Sequence, residues 1–109
     1  MTYRIILAPE AVEDLKALRA FDRVTVRDAM KEHLRFQPTK TSKSRIKRLQ
    51  GMRHPQYRLR VNEIRVFYDV SADAVEVLAI VPKAEATAWL ERYGEQDDEQ
   101  NRSGEENEV

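Results

Sequence analysis

Tyr57-Arg58-Leu59-Arg60-Val61-Asn62-Glu63-Ile64-Arg65-Val66-Phe67-Tyr68 alternates apolar and mostly cationic side chains on either side of a central Asn-Glu pair. Period-two alternation marks a half-buried strand, and two such runs around Asn62-Glu63 predict a hairpin with a two-residue turn. A turn of that length sets the register: Val61 faces Ile64, Arg60 faces Arg65, Leu59 faces Val66 and Arg58 faces Phe67. One face then carries Tyr57, Leu59, Val61, Ile64, Val66 and Tyr68, a core face. The other carries Arg58, Arg60, Arg65 and Phe67. Like charges directly opposed on a sheet are destabilising, so Arg60 opposite Arg65 predicts an anionic ligand on that face.

The rest of the chain agrees in charge. The 109 residues suffice for one domain with a modest core. The formal net charge of zero conceals segregation. From Glu95 to Val109 there are seven acids and one base, Arg102, which leaves residues 1–94 with a net charge of +6. Between Lys40 and Arg65 nine cations meet one acid, Glu63. A basic domain, 1–94, followed by an acidic, disordered tail, 95–109, is the expected organisation. The positive bias points to a polyanionic partner. Absence of cysteine excludes disulfides and thiolate zinc sites. The apolar N-terminal run stops at Pro9, too short for a signal peptide or a membrane span, so a cytoplasmic location is expected.

Outward from the hairpin, Tyr3, Ile5 and Leu7 alternate as a first strand. Pro9 opens a helix reaching about Arg19, with Ala11, Leu15 and Leu18 on one side. Asp22 is a plausible N-cap for a second helix carrying Val26, Met30 and Leu34, ended by Pro38. Residues 38–55 read as a long basic loop, a kind of segment that is often functional. Val75–Val81 is apolar on both faces, as in a central strand. Glu85–Tyr93 reads as a last helix with Ala86, Trp89, Leu90 and Tyr93 on one side and Gly94 as its cap. The predicted fold is α+β: a small, antiparallel-rich sheet of order βααβββα, with the helical hairpin packed on one face.

Catalytic sets built on glycine loops, paired histidines or an activated serine are missing. His33 and His54 lie far apart in sequence. What remains is a cluster of arginines, lysines and aromatic rings, which suits RNA. Guanidinium forks hold phosphate, rings stack on bases, and positive charge stabilises a phosphorane. RNA can be cut without a metal because its own 2′-hydroxyl attacks the adjacent phosphorus, so neither metal nor small-molecule cofactor is expected.

Leu49-Gln50-Gly51, the arginine hairpin, and the Val75–Val81 strand closed by Pro82-Lys83 together resemble the RelE/ParE superfamily of toxins from type II toxin–antitoxin modules, over roughly residues 2–93. The resemblance implies a ribosome-dependent endoribonuclease that cleaves mRNA in the ribosomal A site and is neutralised by a cognate antitoxin. It places Arg58 and Arg60 where RelE-type members carry hairpin lysines, and Arg65 at their hairpin arginine. The arginine those members carry after the last strand falls at Ala84, beside Lys83. Their C-terminal tyrosine falls near Trp89 or Leu90, one turn before Tyr93. On this basis Arg65, Lys83 and Arg60 are the catalytic candidates. Arg58, Phe67, Lys47, Arg48, Arg53, His54 and Tyr93 are the RNA-binding ones. Arginine is not deprotonated in proteins, so the base must be Lys47, Lys83, His54 or a tyrosine. The structural alternative for Arg65 is an ion pair with Asp69 or with an acid of the first helix. The functional alternatives are a ParE-like inhibitor of DNA gyrase and a degenerate member that binds only its antitoxin.

Overall fold

The computed structural model of the chain describes residues 2–97. Five strands form the main sheet. They are β1 (Arg4–Leu7), β2 (Ile46–Arg48), β4 (Tyr57–Val61), β5 (Ile64–Val70) and β6 (Ala74–Pro82), in the order β1-β6-β5-β4-β2. Only β1 and β6 pair in parallel. The arginine hairpin has the register its two-residue turn requires, Tyr57 opposite Tyr68 through Val61 opposite Ile64. Asn62 adopts φ 53, the left-handed conformation that primed hairpin turns ask for and that asparagine tolerates.

Helices α1 (Pro9–Ala17) and α2 (Ala20–Leu34) cover one face of the sheet. Ala11, Leu15, Val26, Ala29, Met30 and Leu34 bury against Leu59, Val61, Val66, Tyr68, Val75 and Val77. The joint between the helices is Leu18-Arg19. Arg19, not Asp22, holds the N-cap position of α2, and Asp22 lies inside the first turn, 3.6 Å from the Arg19 guanidinium. The Arg23 side chain donates to the carbonyls of Leu15, Lys16 and Leu18, filling acceptors that the end of α1 leaves open.

A bulge at Leu78 in β6 resets the alternation, since Phe67 faces Ala79 while Tyr68 faces Val77. Val75, Val77 and Ile80 therefore all face α1 and α2, whereas Ala79 and Val81 face the other way. The Ile80 N–H donates to the Asp14 carboxylate at 3.0 Å, so this acid of α1 secures the bulge.

The opposite face is covered in part by α3 (Lys83–Tyr93). Ala86, Trp89 and Leu90, with Leu49, pack on Phe67, Ala79 and Val81, and the Trp89 ring stacks on Phe67 with centroids 5.2 Å apart. Gly94 ends α3 at an extended φ of −69. Glycine is required there for space, because a Cβ would meet the Leu90 carbonyl oxygen and the Met52 side chain at 2.5 Å each.

Two sequence expectations change. The segment 38–55 is not one long loop: it contains β2 and β3 (Met52–His54), joined by a turn with Gly51 at φ 75 and Met52 N–H bonded to the Leu49 carbonyl. The domain also extends past Gly94. A short strand β7 (Glu95–Gln96) pairs with β3, and Asp97 N–H donates to the Gly51 carbonyl. Residues 98–109, the remainder of the expected acidic tail, lie outside the described residues.

Candidate functional site

Strand β2 enlarges the cationic face. Lys47 stands opposite Arg58 on β4, and Arg58 stands opposite Phe67 on β5. The next row runs from Arg60 to Arg65 to Val81. Helix α3 stands on the apolar members of both rows, Phe67, Ala79 and Val81. The cations occupy the part of the face toward β2. Two adjacent rows each place like charges opposite one another, an arrangement that costs stability twice.

No carboxylate among the described residues neutralises them. None of Lys47, Arg58, Arg60, Arg65 or Lys83 forms an ion pair among the described residues. Burial, followed by repulsion from Arg65 and Arg60, pushes the Arg58 guanidinium below its ordinary pKa, though arginine stays protonated. The Arg58 Nε is buried and makes no hydrogen bond. A buried donor on a charged group left without an acceptor is costly.

Arg65 is held from beneath. It is only 6% exposed, and its Nη1 donates to the carbonyls of Asn62 at 2.8 Å and Ile64 at 3.1 Å. The guanidinium thus braces the hairpin turn while adding positive potential to the surface above it. The alternative pairing with Asp69 is not formed: the Arg65 guanidinium turns to the hairpin carbonyls, and Asp69 bonds His54 and the Gln56 N–H. Lys83, exposed at the start of α3, donates its N–H to the Glu63 carbonyl at 2.7 Å, which sets it at the hairpin-turn end of the sheet with Arg60 and Arg65.

The remaining candidates separate. Phe67 is fully buried beneath Trp89, so it has no free ring to offer a base, and the expectation that it stacks on RNA is corrected. Arg48 lies apart from the cationic rows. It pairs opposite Tyr57, on the other side of β2 from Lys47. Its guanidinium donates to the carbonyls of Leu49, Met52 and Gln56 and lies 5.5 Å from the Tyr57 ring centroid, so it organises the β2–β3 turn. Arg53 pairs with Glu95 at 3.2 Å, joining β3 to β7. Tyr93 is exposed at the end of α3, tilted against Trp89.

His54 has a partner that sequence reading did not supply. Its Nδ1 lies 2.6 Å from Asp69 Oδ2, and Asp69 Oδ1 accepts the Gln56 N–H at 2.8 Å. The two residues are 15 apart in sequence, and only their residue types signalled a pairing. Among the tyrosines, Tyr68 is excluded as a base. It donates to the Pro38 carbonyl at 2.7 Å in the core, and burial, then Tyr57, pushes its hydroxyl far above the usual tyrosine pKa.

Among the described residues there is no acid and histidine cluster of metal-binding geometry, and no helix long and apolar enough to cross a membrane. A five-stranded sheet with one parallel edge, a helical hairpin on one face and a short helix on the other is the architecture of RelE/ParE toxins. The family described as the ParE toxin of the type II toxin-antitoxin system parDE matches residues 5–87, and the chain belongs to it. The fold is shared with RelE in the archaeal RelE-RelB complex from Pyrococcus horikoshii OT3, at 24% identity and TM-score 0.62, over 76% of this chain and 97% of that one. It is shared too with the RelB-RelE antitoxin-toxin complex from Methanococcus jannaschii (21% identity, TM-score 0.60, 77% and 96% covered). A third similar structure is the toxin-antitoxin complex RelBE2 from Mycobacterium tuberculosis (19% identity, TM-score 0.60, 75% and 99% covered). No curated protein matches the sequence.

Proposed function

We propose that this toxin inhibits translation in the cytoplasm by cutting ribosome-bound mRNA, without a metal, through attack of the RNA 2′-hydroxyl. The observation that carries the reading is the Arg58 Nε, buried and unbonded amid cations that no carboxylate among the described residues neutralises. A phosphodiester supplies the missing acceptor and the missing charge together. Lys47, Arg58 and Arg60 hold phosphate oxygens. Arg65, fixed under the surface, stabilises charge developing on phosphorus, and Lys83 extends the track at the turn end. An antitoxin protein holds the toxin inactive, in keeping with the antitoxin-bound state of the RelE proteins whose fold it shares.

The match to ParE over residues 5–87 favours a second reading, inhibition of DNA gyrase without catalysis. Two assays on one preparation separate them: cell-free translation of a defined mRNA with its fragments mapped, and supercoiling by purified gyrase. Cleavage inside codons with unaffected supercoiling is the expected result. Intact mRNA with inhibited supercoiling would establish the second reading instead. Inactivity in both would leave a member that only binds its antitoxin.

A further inference from the structure

We infer that His54 and Asp69 form a proton-transfer dyad in which His54 is the general base of RNA cleavage and Asp69 positions it; this rests on the mRNA-cleavage reading above. A base is needed, and the arginines cannot supply it, since arginine does not give up its proton. Of the other candidates, Lys47 and Lys83 have no carboxylate among the described residues to take up the charge a base acquires, whereas His54 has Asp69. Tyr68 is sealed in the core. His54 meets the geometric requirements. The Asp69 carboxylate is fixed by the Gln56 N–H, and its second oxygen lies 2.6 Å from His54 Nδ1. An ionised carboxylate only accepts, so Nδ1 carries the hydrogen and Nε2 the lone pair of the neutral ring. Nε2 has no partner among the described residues, and the His54 side chain is 47% exposed while that of Asp69 is 16% exposed.

The dyad lies on the face that carries the cations. Residues alternate along β5, so Asp69 shares a side with Phe67 and Arg65, opposite the core residue Tyr68. Phe67 stands directly across from Arg58, and Asp69 is two residues further along, about 7 Å at the usual strand rise. The charged groups around the imidazole are Asp69 of β5, Glu95 of β7 (opposite His54 in the β3–β7 pair) and Arg53 of β3, itself paired with Glu95. Asp69 bonds the ring directly, and Glu95 adds negative charge offset by Arg53.

In the reaction, Nε2 takes the proton of the 2′-hydroxyl as the 2′-oxygen bonds to phosphorus. The bond from phosphorus to the 5′-oxygen then breaks, and the departing oxygen takes a proton from solvent. The products are a 2′,3′-cyclic phosphate and a 5′-hydroxyl, with no redox change. Arg58 and Arg60 hold the non-bridging oxygens, and Asp69 stabilises the imidazolium until it returns its proton to water.

Single-turnover cleavage by the full chain on ribosomes programmed with a defined mRNA tests this, followed from pH 5 to 9. Wild type is expected to show a rate that rises with pH, because a general base acts only in its deprotonated form. His54→Gln is expected to lose at least about 100-fold in rate together with that limb, while its thermal midpoint stays within a few degrees. Asp69→Asn should keep mRNA binding and lose rate, and His54→Gly should recover activity with added imidazole. A flat wild-type profile, or His54→Gln cleaving like wild type, overturns the dyad and leaves the cleavage reading standing. Wild type that leaves mRNA intact overturns the cleavage reading, and the dyad falls with it.

Discussion

Arg65 and Arg60 face each other across the hairpin, yet their substitutions should have opposite effects on stability. Arg60 is exposed and has no ion-pair partner among the described residues, so Arg60→Gln should leave stability unchanged or raise it by a few tenths of a kcal/mol, since it removes a like-charge contact. Arg65→Ala removes two charge-assisted bonds to the turn carbonyls and should cost about 1–2 kcal/mol despite the relieved repulsion. Leu59→Ala on the buried face should cost roughly 2–5 kcal/mol. Urea titrations of the three variants check the order. Tyr68 makes a separate, pH-dependent prediction. Its folded pKa is raised, so the stability it contributes is fully present below about pH 10, the unfolded value, and is lost progressively as pH climbs above it. Tyr68→Phe should be about 1 kcal/mol less stable at pH 7, for want of the bond to Pro38, and should lose less than wild type between pH 9 and 11.

At the scale of elements, α3 decides how much of the cationic face is open. Trp89→Ala unroofs Phe67 and should cost roughly 1–3 kcal/mol, with increased binding of an apolar dye as the readout. Strand β7 ties the end of α3 to the basic β3. A chain ending at Gly94 should melt a few degrees below one ending at Asp97, since it loses the β3–β7 ladder and the Arg53–Glu95 pair. The hairpin, its register, and which side of it faces the core were legible because strict alternation and a two-residue turn leave no freedom. What covers the other side was not legible, because alternation assigns a face without naming its neighbour. Phe67, Ala79 and Val81 opposite an Ala86-Trp89-Leu90 stripe were the available signal. Strands of three residues, β2 and β3, are too short to display a period. Arg48 was therefore read as a loop residue with no face assigned, and the β7 pairing was hidden by acidic composition.

For the molecule as a whole, both large faces of one sheet are used, but unequally. The side under α1 and α2 holds the main core and its stability. The other side is divided between a small aromatic cluster under α3 and two rows of cations without a carboxylate partner among the described residues. Lys47 against Arg58 and Arg60 against Arg65 cost stability in the free state, and on the proposed reading an anionic ligand removes that repulsion. The most direct measurement of that claim is the salt dependence of affinity for ribosomes carrying a defined mRNA, compared between wild type and a Lys47→Gln/Arg60→Gln double variant. If both cations contact phosphate, the slope of log affinity against log salt should flatten by about 1.4, roughly 0.7 for each lost contact with single-stranded RNA, while thermal stability holds or rises. An unchanged slope with equal affinity would contradict the account.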